Sequence, residues 1–347
     1  MSRPVKIIPI SELEDYSEII DVRSPSEFAE DHMPGAINCY VLDDLQRAEV
    51  GTLYKQVSPF EAKKLGASLI SGNIAHWTRE HFLNKPKSYK ALVYCWRGGQ
   101  RSMSLATVLA RIGWDISLVE GGYKKYRAQV RETLDTLCPK LNLTLITGLT
   151  GTAKTRILKQ LEHQGEQMID LEGLANHKGS LLGHNPEQPQ PSQKYFESLL
   201  AAKIATFDTT KRIWVESESN KIGNLQCPAA LWQQMKQAPA IEITAPVNAR
   251  VQYLLSDYPY FTQNPEALSQ KIYYLKELHG IQKIEQWRQF IAKKAWPEFV
   301  QQILEQHYDP AYTRSMKHNQ RKVVETIHVE KLNEEDIWGI ADEMINK

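Results

Sequence analysis

Val93-Tyr94-Cys95-Trp96-Arg97-Gly98-Gly99-Gln100-Arg101-Ser102 carries the strongest signal in the chain. An apolar run ends on a cysteine, a glycine-bearing loop follows, and an arginine closes that loop where a helix is predicted to begin, near Ser102. Thiol chemistry needs all three. Backbone N–H groups of such a loop can converge on an anion, and Gly98 and Gly99 permit the curvature this takes. The positive end of the next helix favours thiolate over thiol. Arg101 adds a planar cation suited to an oxyanion, a phosphate or a persulfide. The plain alternative is a buried cysteine closing a core strand. The loop and the arginine weigh against it, and Cys95 reads as a nucleophile.

Around this loop the chain looks like two α/β domains. Its 347 residues are 42% hydrophobic, enough for two ordinary cores. The net charge of +1 excludes a global cationic field, so any RNA surface must be a local patch. Cys39, Cys95, Cys138 and Cys227 lie far apart with no C-x-x-C pair, which argues against a zinc site and against a disulfide framework. No metal site is expected from these residues. The opening Met-Ser-Arg-Pro-Val-Lys lacks the apolar core of a signal peptide, and no run reaches membrane-spanning length. A cytoplasmic location without membrane contact is the expectation.

Residues 1–137 form the first expected domain. Short apolar strands (Val5–Ile8, Ile19–Val22, Leu92–Cys95, Ile116–Val119) alternate with helical stretches. Leu105, Val108, Leu109 and Ile112 recur at i, i+3, i+4 and i+7, which predicts one buried helix face. A long polar insertion spans Tyr40 to Tyr89. Asp21-Val22-Arg23, Ser24-Pro25-Ser26-Glu27-Phe28, His32-Met33-Pro34-Gly35-Ala36-Ile37-Asn38 and Val119-Glu120-Gly121-Gly122-Tyr123 surround the cysteine loop in sequence order. Together these motifs resemble the rhodanese domain. The resemblance implies that Cys95 carries sulfur or selenium as a persulfide or perselenide, with Arg97 and Arg101 as anion partners. Asp21, Arg23 and His32 read as structural, His32 as part of an anchored turn. In one departure the arginine lies six positions after the cysteine, the C-x(5)-R spacing of some phosphatases.

Cys138-Pro139-Lys140 makes a hinge, and residues 138–347 form the second expected domain. Strand Leu143–Thr147 runs into Gly148-Leu149-Thr150-Gly151-Thr152-Ala153-Lys154-Thr155 and then a helix bearing Ile157, Leu158 and Leu161. This is phosphate-loop logic. Backbone amides and the helix N-terminus cradle phosphates, Lys154 neutralises them, and Thr155 can reach Mg²⁺. Gly148, Gly151, Lys154 and Thr155 are the candidate donor-binding residues. Ala153 replaces the second glycine of G-x-x-x-x-G-K-[ST], a strain if that position needs positive φ. No clean acidic strand end appears; the nearest is Ile213-Trp214-Val215-Glu216, with Glu218 beyond it. Asn185 to Ser192 reads as a proline-rich loop before a helix.

With both halves in view, the chain resembles the tRNA 2-selenouridine synthase family, which fuses a rhodanese domain to a phosphate-loop domain. Supporting strings are Tyr94 to Gly99, Asp170 to Ser180, Gln190 to Glu197 and Glu216 to Gly223. The resemblance implies an α/β fold with a rhodanese-like domain followed by a phosphate-loop NTPase-like domain, helical in its C-terminal part. It also implies a transferase acting on wobble 2-thiouridine of tRNA. Selenium from selenophosphate replaces the sulfur, through an S-geranylated intermediate made from geranyl diphosphate. Both donors are co-substrates, with Mg²⁺ a candidate ion and no obligate protein partner. Geranylation turns a poor leaving group at C2 into a good thiolate. The phosphate loop suits the diphosphate, and the cysteine loop suits selenophosphate.

Other candidate substrate residues are Trp96, Gly98 and Gly99 on the loop, and Lys124 and Lys125, with Arg127 and Arg131, just past the Gly-Gly turn. Tyr123 and Tyr126 interleave with these cations as stacking partners for bases. Arg314, Lys317, His318, Arg321 and Lys322 form a second basic cluster. For both clusters a solvated helix face is the plain alternative. Asp170, Glu172 and His177, with Lys178, follow the second strand of the phosphate-loop domain, where ligand sites gather in such sheets. The aromatic stretch Tyr253 to Tyr274 reads as packing, or as the lining of a prenyl pocket. Competing readings are a C-x(5)-R phosphatase or plain sulfurtransferase fused to a small-molecule kinase, and a non-catalytic RNA-binding scaffold.

Overall fold

Strands buried on both faces need apolar residues at nearly every position, and Ala91-Leu92-Val93-Tyr94 supplies such a run, each residue 0% exposed. In the computed structural model it lies in β4, the middle strand of a sheet. The structure describes residues 4–12, 16–178, 188–217, 219–257, 263–319 and 321–346; the side chains of 315–319 are outside this description. It divides into two units, Met1–Leu134 with Pro191–Ala205, and Asp135–Gln190 with Thr206–Lys347.

The first unit runs β1 (Lys6–Ile8), β2 (Glu18–Asp21), α1 (Pro25–Glu30), β3 (Ala36–Asn38), α2 (Asp44–Gln56), α3 (Pro59–Trp77), β4 (Lys90–Tyr94), α4 (Gln100–Ile112), β5 (Asp115–Val119) and α5 (Gly122–Leu137). The sheet order is β1-β5-β4-β2-β3, parallel throughout. Ile20, Val22, Val93, Leu105, Leu109 and Ile116 lie in its core. Strand β3 comes from Ala36-Ile37-Asn38, just past the turn at Pro34 and Gly35. The insertion folds as α2 and α3, tied to the preceding chain by Trp77 Nε1 donating to the Tyr40 carbonyl at 2.9 Å.

The α4 stripe differs from its predicted form. Leu105 and Leu109 are fully buried, but Val108 is 37% and Ile112 51% exposed. The buried face is Ser102, Leu105, Ala106, Leu109 and Ala110. Two alanines let the helix approach the sheet closely, so the contact stripe turns toward them and away from the larger side chains.

Asp21, Arg23 and His32 hold the frame, as their structural reading has it. Arg23 Nη2 donates to Asp21 Oδ2 and to the Asp31 carbonyl, both at 2.6 Å. Its guanidinium lies 3.8 Å from the centre of the Tyr123 ring. His32 Nδ1 sits 2.8 Å from the Phe28 carbonyl, and its ring stacks between Phe28 and Tyr195. Tyr195 belongs to the helix Gln193–Ile204, which is part of the first unit despite its late place in the chain. Ser198 on that helix donates to Asp31 Oδ1 at 2.8 Å, and Arg127 pairs with Glu197. Ser192 caps the helix by accepting from Tyr195 N–H.

The second unit follows a turn of 3₁₀-helix at Cys138–Lys140, whose cysteine is fully buried. It contains β6 (Asn142–Thr147), α6 (Lys154–His163), β7 (Gln167–Ile169), α7 (Leu171–Ala175), β8 (Arg212–Glu216), a short antiparallel pair β9 (Lys221–Ile222) and β10 (Leu225–Gln226), β11 (Ala240–Thr244) and β12 (Val323–His328). Its main sheet has the order β12-β11-β6-β8-β7, again parallel. Ile157, Leu158 and Leu161 pack α6 on this sheet at 0% exposure, as their spacing predicts. Between β11 and β12 most of the described residues are helical. Helices Pro265–Tyr273, Ile281–Ala292 and Trp296–Ile303 share a separate core around Trp287.

Candidate active sites

Cys95 directly follows β4, and its 3% exposure alone would make it inert. Burial pushes its thiol up. Against this, the Ser102 hydroxyl, the Ser102 and Arg97 N–H groups and the Arg101 charge favour the thiolate, and the net direction is down. Sγ accepts from Ser102 Oγ at 3.2 Å and from Gly99 N–H at 3.3 Å. Burial dominates at Cys39, Cys138 and Cys227, even against the Cys138 backbone N–H on its own sulfur, and pushes each up to about 12. All four are free thiols. Of the four, Cys95 is the one shifted toward thiolate.

The Gly-Gly turn braces this loop. Tyr123 N–H donates to the Cys95 carbonyl at 2.9 Å, and Lys124 N–H to the Trp96 carbonyl at 3.0 Å. A Cβ on Gly122 would stand 2.3 Å from the Cys95 oxygen, so only glycine fits. Gly98 has φ +70° with the Val119 carbonyl close by. Gly99 is the residue before α4, and its N–H is the one aimed at sulfur. Arg101 turns its guanidinium to Glu27 at 2.7 Å, and Arg97 is exposed. Trp96 is 38% exposed, its ring 5.2 Å from Tyr123. A cleft of about 1090 Å³ opens beside Gly98, Gly99 and Arg101; Arg47, Lys55 and Lys63 also line it, and no carboxylate residue does.

The basic run after the turn is divided. Lys124, Lys125 and Arg131 are exposed, Lys125 beside Glu120. Arg127 is committed to Glu197 and Asp31. Tyr123 and Tyr126 correct the expectation of base stacking: both are buried, and the Tyr123 phenol donates to Asp31 Oδ2 at 2.8 Å. They lie on the apolar side of an amphipathic helix, so the interleaving with lysines is the helix's two faces seen in sequence.

In the second unit β6 ends at Thr147, and α6 starts at Lys154. Gly148 has φ +145°, and a Cβ there would lie 2.4 Å from the Ile243 carbonyl. Gly151 has φ +86° and packs on Leu254 and Arg250. Ala153 does occupy the left-handed region, at φ +59° and ψ +23°. The strain foreseen for the missing glycine is therefore present. Lys154 Nζ donates to the Gly148 carbonyl at 2.9 Å, and Thr155 opens α6 beside it.

Three residues that hold this loop were not visible in the sequence reading. Arg250 is 4% exposed and donates to the Thr150 carbonyl at 3.1 Å, while gripping Asp309 through two bonds of 2.9 and 2.8 Å. The Tyr312 hydroxyl accepts from Gly148 N–H at 2.8 Å and shares a 2.5 Å hydrogen bond with Thr147. These partners lie more than ninety residues from the loop, and no local spacing signals them. Glu216 gains weight. It is 1% exposed and closes β8, in register with Ile146 just before the loop. Glu218 lies outside the described residues.

Asp170 accepts from Gly173 N–H at 2.6 Å and caps α7. With Glu172, His177 and Thr155 it lines a cavity of about 280 Å³. Tyr253 is buried and borders the same cavity, Tyr274 is 76% exposed, and 258–262 lie outside the described residues, as do 179–187. Of the C-terminal cluster, Arg314 and Lys322 are exposed and Arg321 half-buried; the Lys317 and His318 side chains are outside the description. Among the described residues no group of three or more His, Cys, Asp or Glu is placed to hold a metal, and no helix is long and apolar enough to cross a membrane.

Two family models match the chain in succession. Residues 10–129 match the family model for the rhodanese-like domain, and residues 141–286 match that for the tRNA 2-selenouridine synthase AAA domain. A tRNA 2-selenouridine synthase of Shewanella frigidimarina is 31% identical over 92% of this chain and 95% of its own length. That of Shewanella woodyi is 31% identical over 88% and 90%. That of Nitrosomonas europaea is 35% identical over 69% of this chain and 63% of that protein. With a braced cysteine loop in one unit and a phosphate loop in the other, the chain belongs to the tRNA 2-selenouridine synthase family.

Proposed function

We propose that this enzyme converts wobble 2-thiouridine of tRNA to 2-selenouridine in the cytoplasm, taking selenium from selenophosphate at Cys95 and the diphosphate of geranyl diphosphate at the phosphate loop. The observation that carries the reading is the contrast among the cysteines. Only Cys95 has hydrogen-bond donors on sulfur that reverse the effect of burial. The cleft beside its loop is cationic and free of carboxylates, which suits a small dianionic donor and an RNA strand alike. Arg97 and Arg101 are the anion partners nearest in sequence. At the other loop, Gly148, Gly151, Lys154 and Thr155 cradle a diphosphate. Thr155 and Glu216 are oxygen donors of the kind Mg²⁺ would take there.

The scaffold reading loses ground to the same features, and the phosphatase reading to the family. A scaffold has no need of a thiol tuned toward thiolate, and family membership favours group transfer to RNA. Nucleoside mass spectrometry tests the division of labour. The full chain is incubated with 2-thiouridine tRNA, geranyl diphosphate and selenophosphate. Lys154→Ala should abolish the geranylated nucleoside, and Cys95→Ala should preserve it while abolishing 2-selenouridine. Equal loss of both products in either variant would sink the assignment of one donor to each loop.

A further inference from the structure

The cavity of about 280 Å³ beside Thr155 has a composition that narrows what it can hold. No residue around it carries an aliphatic side chain, so it does not suit a prenyl tail. Asp170 and Glu172 stand in its wall, Lys178 is paired with Asp257 at 2.6 Å, and Arg156 and Lys159 are exposed on α6, so a phosphate fits on the α6 side and not between the carboxylates. What remains is a flat, polar, uncharged group with both donors and acceptors on its edge.

The walls supply the complement. Asp170 and Glu172 present acceptors, and Tyr253 a phenol that burial keeps protonated. His177 lines the cavity as well, while Lys178 is paired with Asp257 at 2.6 Å and the Asn176 amide is spent on the backbone. The backbone around them is fixed at some cost. Asn176 sits at φ +48°, held by its amide donating to the carbonyls of Gln188 at 2.8 Å and Pro189 at 3.1 Å. A Cβ on Gly173 would meet Asp170 Oδ2 at 2.5 Å, so the α7 turn closes on the carboxylate only because glycine is there. At the mouth, Arg156 and Lys159 are exposed cations on α6. Thr155 joins this cavity to the phosphate loop, and Asp170, directly after β7, lines it.

We infer that this cavity takes a uracil nucleotide extruded from RNA, with the ring inside and its flanking phosphates on Arg156 and Lys159. Chemistry on a base requires taking that base out of its stack into a pocket that reads its edge. A volume of about 280 Å³ holds one nucleotide and little more. The inference deepens the proposed function and rests on it in one respect: the phosphate loop beside the cavity is read as the donor's diphosphate site.

The test uses the full chain and an anticodon stem-loop RNA carrying 4-thiouridine at the wobble position, irradiated in the near ultraviolet with and without inorganic pyrophosphate. Cross-linked peptides are mapped by mass spectrometry. Cross-links should fall within 170–178 or at Tyr253. In Glu172→Gln the yield there should drop about tenfold, as expected for losing one charged hydrogen-bond partner. Cross-links confined to other regions, the cysteine loop included, would overturn the inference. Pyrophosphate binding, followed separately by calorimetry, keeps the two claims apart. If pyrophosphate fails to bind, the donor reading falls, while the cross-link map without pyrophosphate still decides the cavity.

Discussion

Four buried cysteines differ by what faces their sulfur, and that difference is worth more to function than burial itself. At Cys95 the Ser102 hydroxyl, the Ser102 and Arg97 N–H groups and the Arg101 charge together overcome desolvation. The sign follows directly. A thiol shifted down stays thiolate to lower pH than an ordinary cysteine, so its alkylation persists as pH falls and fades only below the lowered value. Ser102→Ala removes the principal stabilising partner, so the midpoint of Cys95 alkylation by iodoacetamide should move to higher pH and the rate at pH 7 should fall. An unchanged profile would mean that Ser102 is only a helix residue. Cys95 itself was legible because cysteine, glycines and arginine are contiguous. Ser102 was read merely as a helix start, and the turn of Arg101 toward Glu27 was hidden, because that partner lies 74 residues away.

At the scale of elements, short motifs were read correctly and long-range supports were not. The D-V-R string builds a hub joining β2 to the chain beyond α1, through a pair whose side chains are 1% and 0% exposed. Arg23→Ala would leave Asp21 buried without its cation, and should cost about 3–5 kcal/mol. Urea unfolding measures it, and a loss below about 1 kcal/mol would contradict the hub. The phosphate loop gives two predictions of opposite sign. Ala153→Gly relieves a left-handed alanine and should stabilise the second unit by about 0.5–1 kcal/mol. Gly148→Ala forces a methyl against the Ile243 carbonyl and should destabilise it by more than about 2 kcal/mol. Both are read as shifts in the urea midpoint. Ala153 could be flagged from sequence because the loop pattern fixes which position turns. The α4 stripe was misplaced because periodicity alone does not say whether the large or the small apolar residues face a close-packed sheet.

Across the whole molecule, the order of two parallel α/β units was legible, since each opens a loop after an apolar strand that names its own chemistry. The course of the chain between them was not. Helix Gln193–Ile204 joins the first unit through Ser198, Glu197 and the Tyr195 ring, and its buried period Phe196, Leu200 and Ile204 announces a helix without naming the unit it belongs to. The functional conclusion joins one tuned thiol to one phosphate loop in a family named for tRNA 2-selenouridine synthesis, and its centre is selenium uptake at Cys95. Peptide mass spectrometry tests that most directly. The protein is mixed with selenophosphate, trapped with iodoacetamide and digested, while phosphorus NMR of the same mixture identifies the co-product. The account predicts a perselenide on the peptide containing Cys95, the S–Se bond forming as the P–Se bond breaks and its electron pair leaves on phosphorus as phosphite, with none on Cys39, Cys138 or Cys227. Selenation of tRNA with no adduct at Cys95, or undiminished in Cys95→Ala, would contradict it.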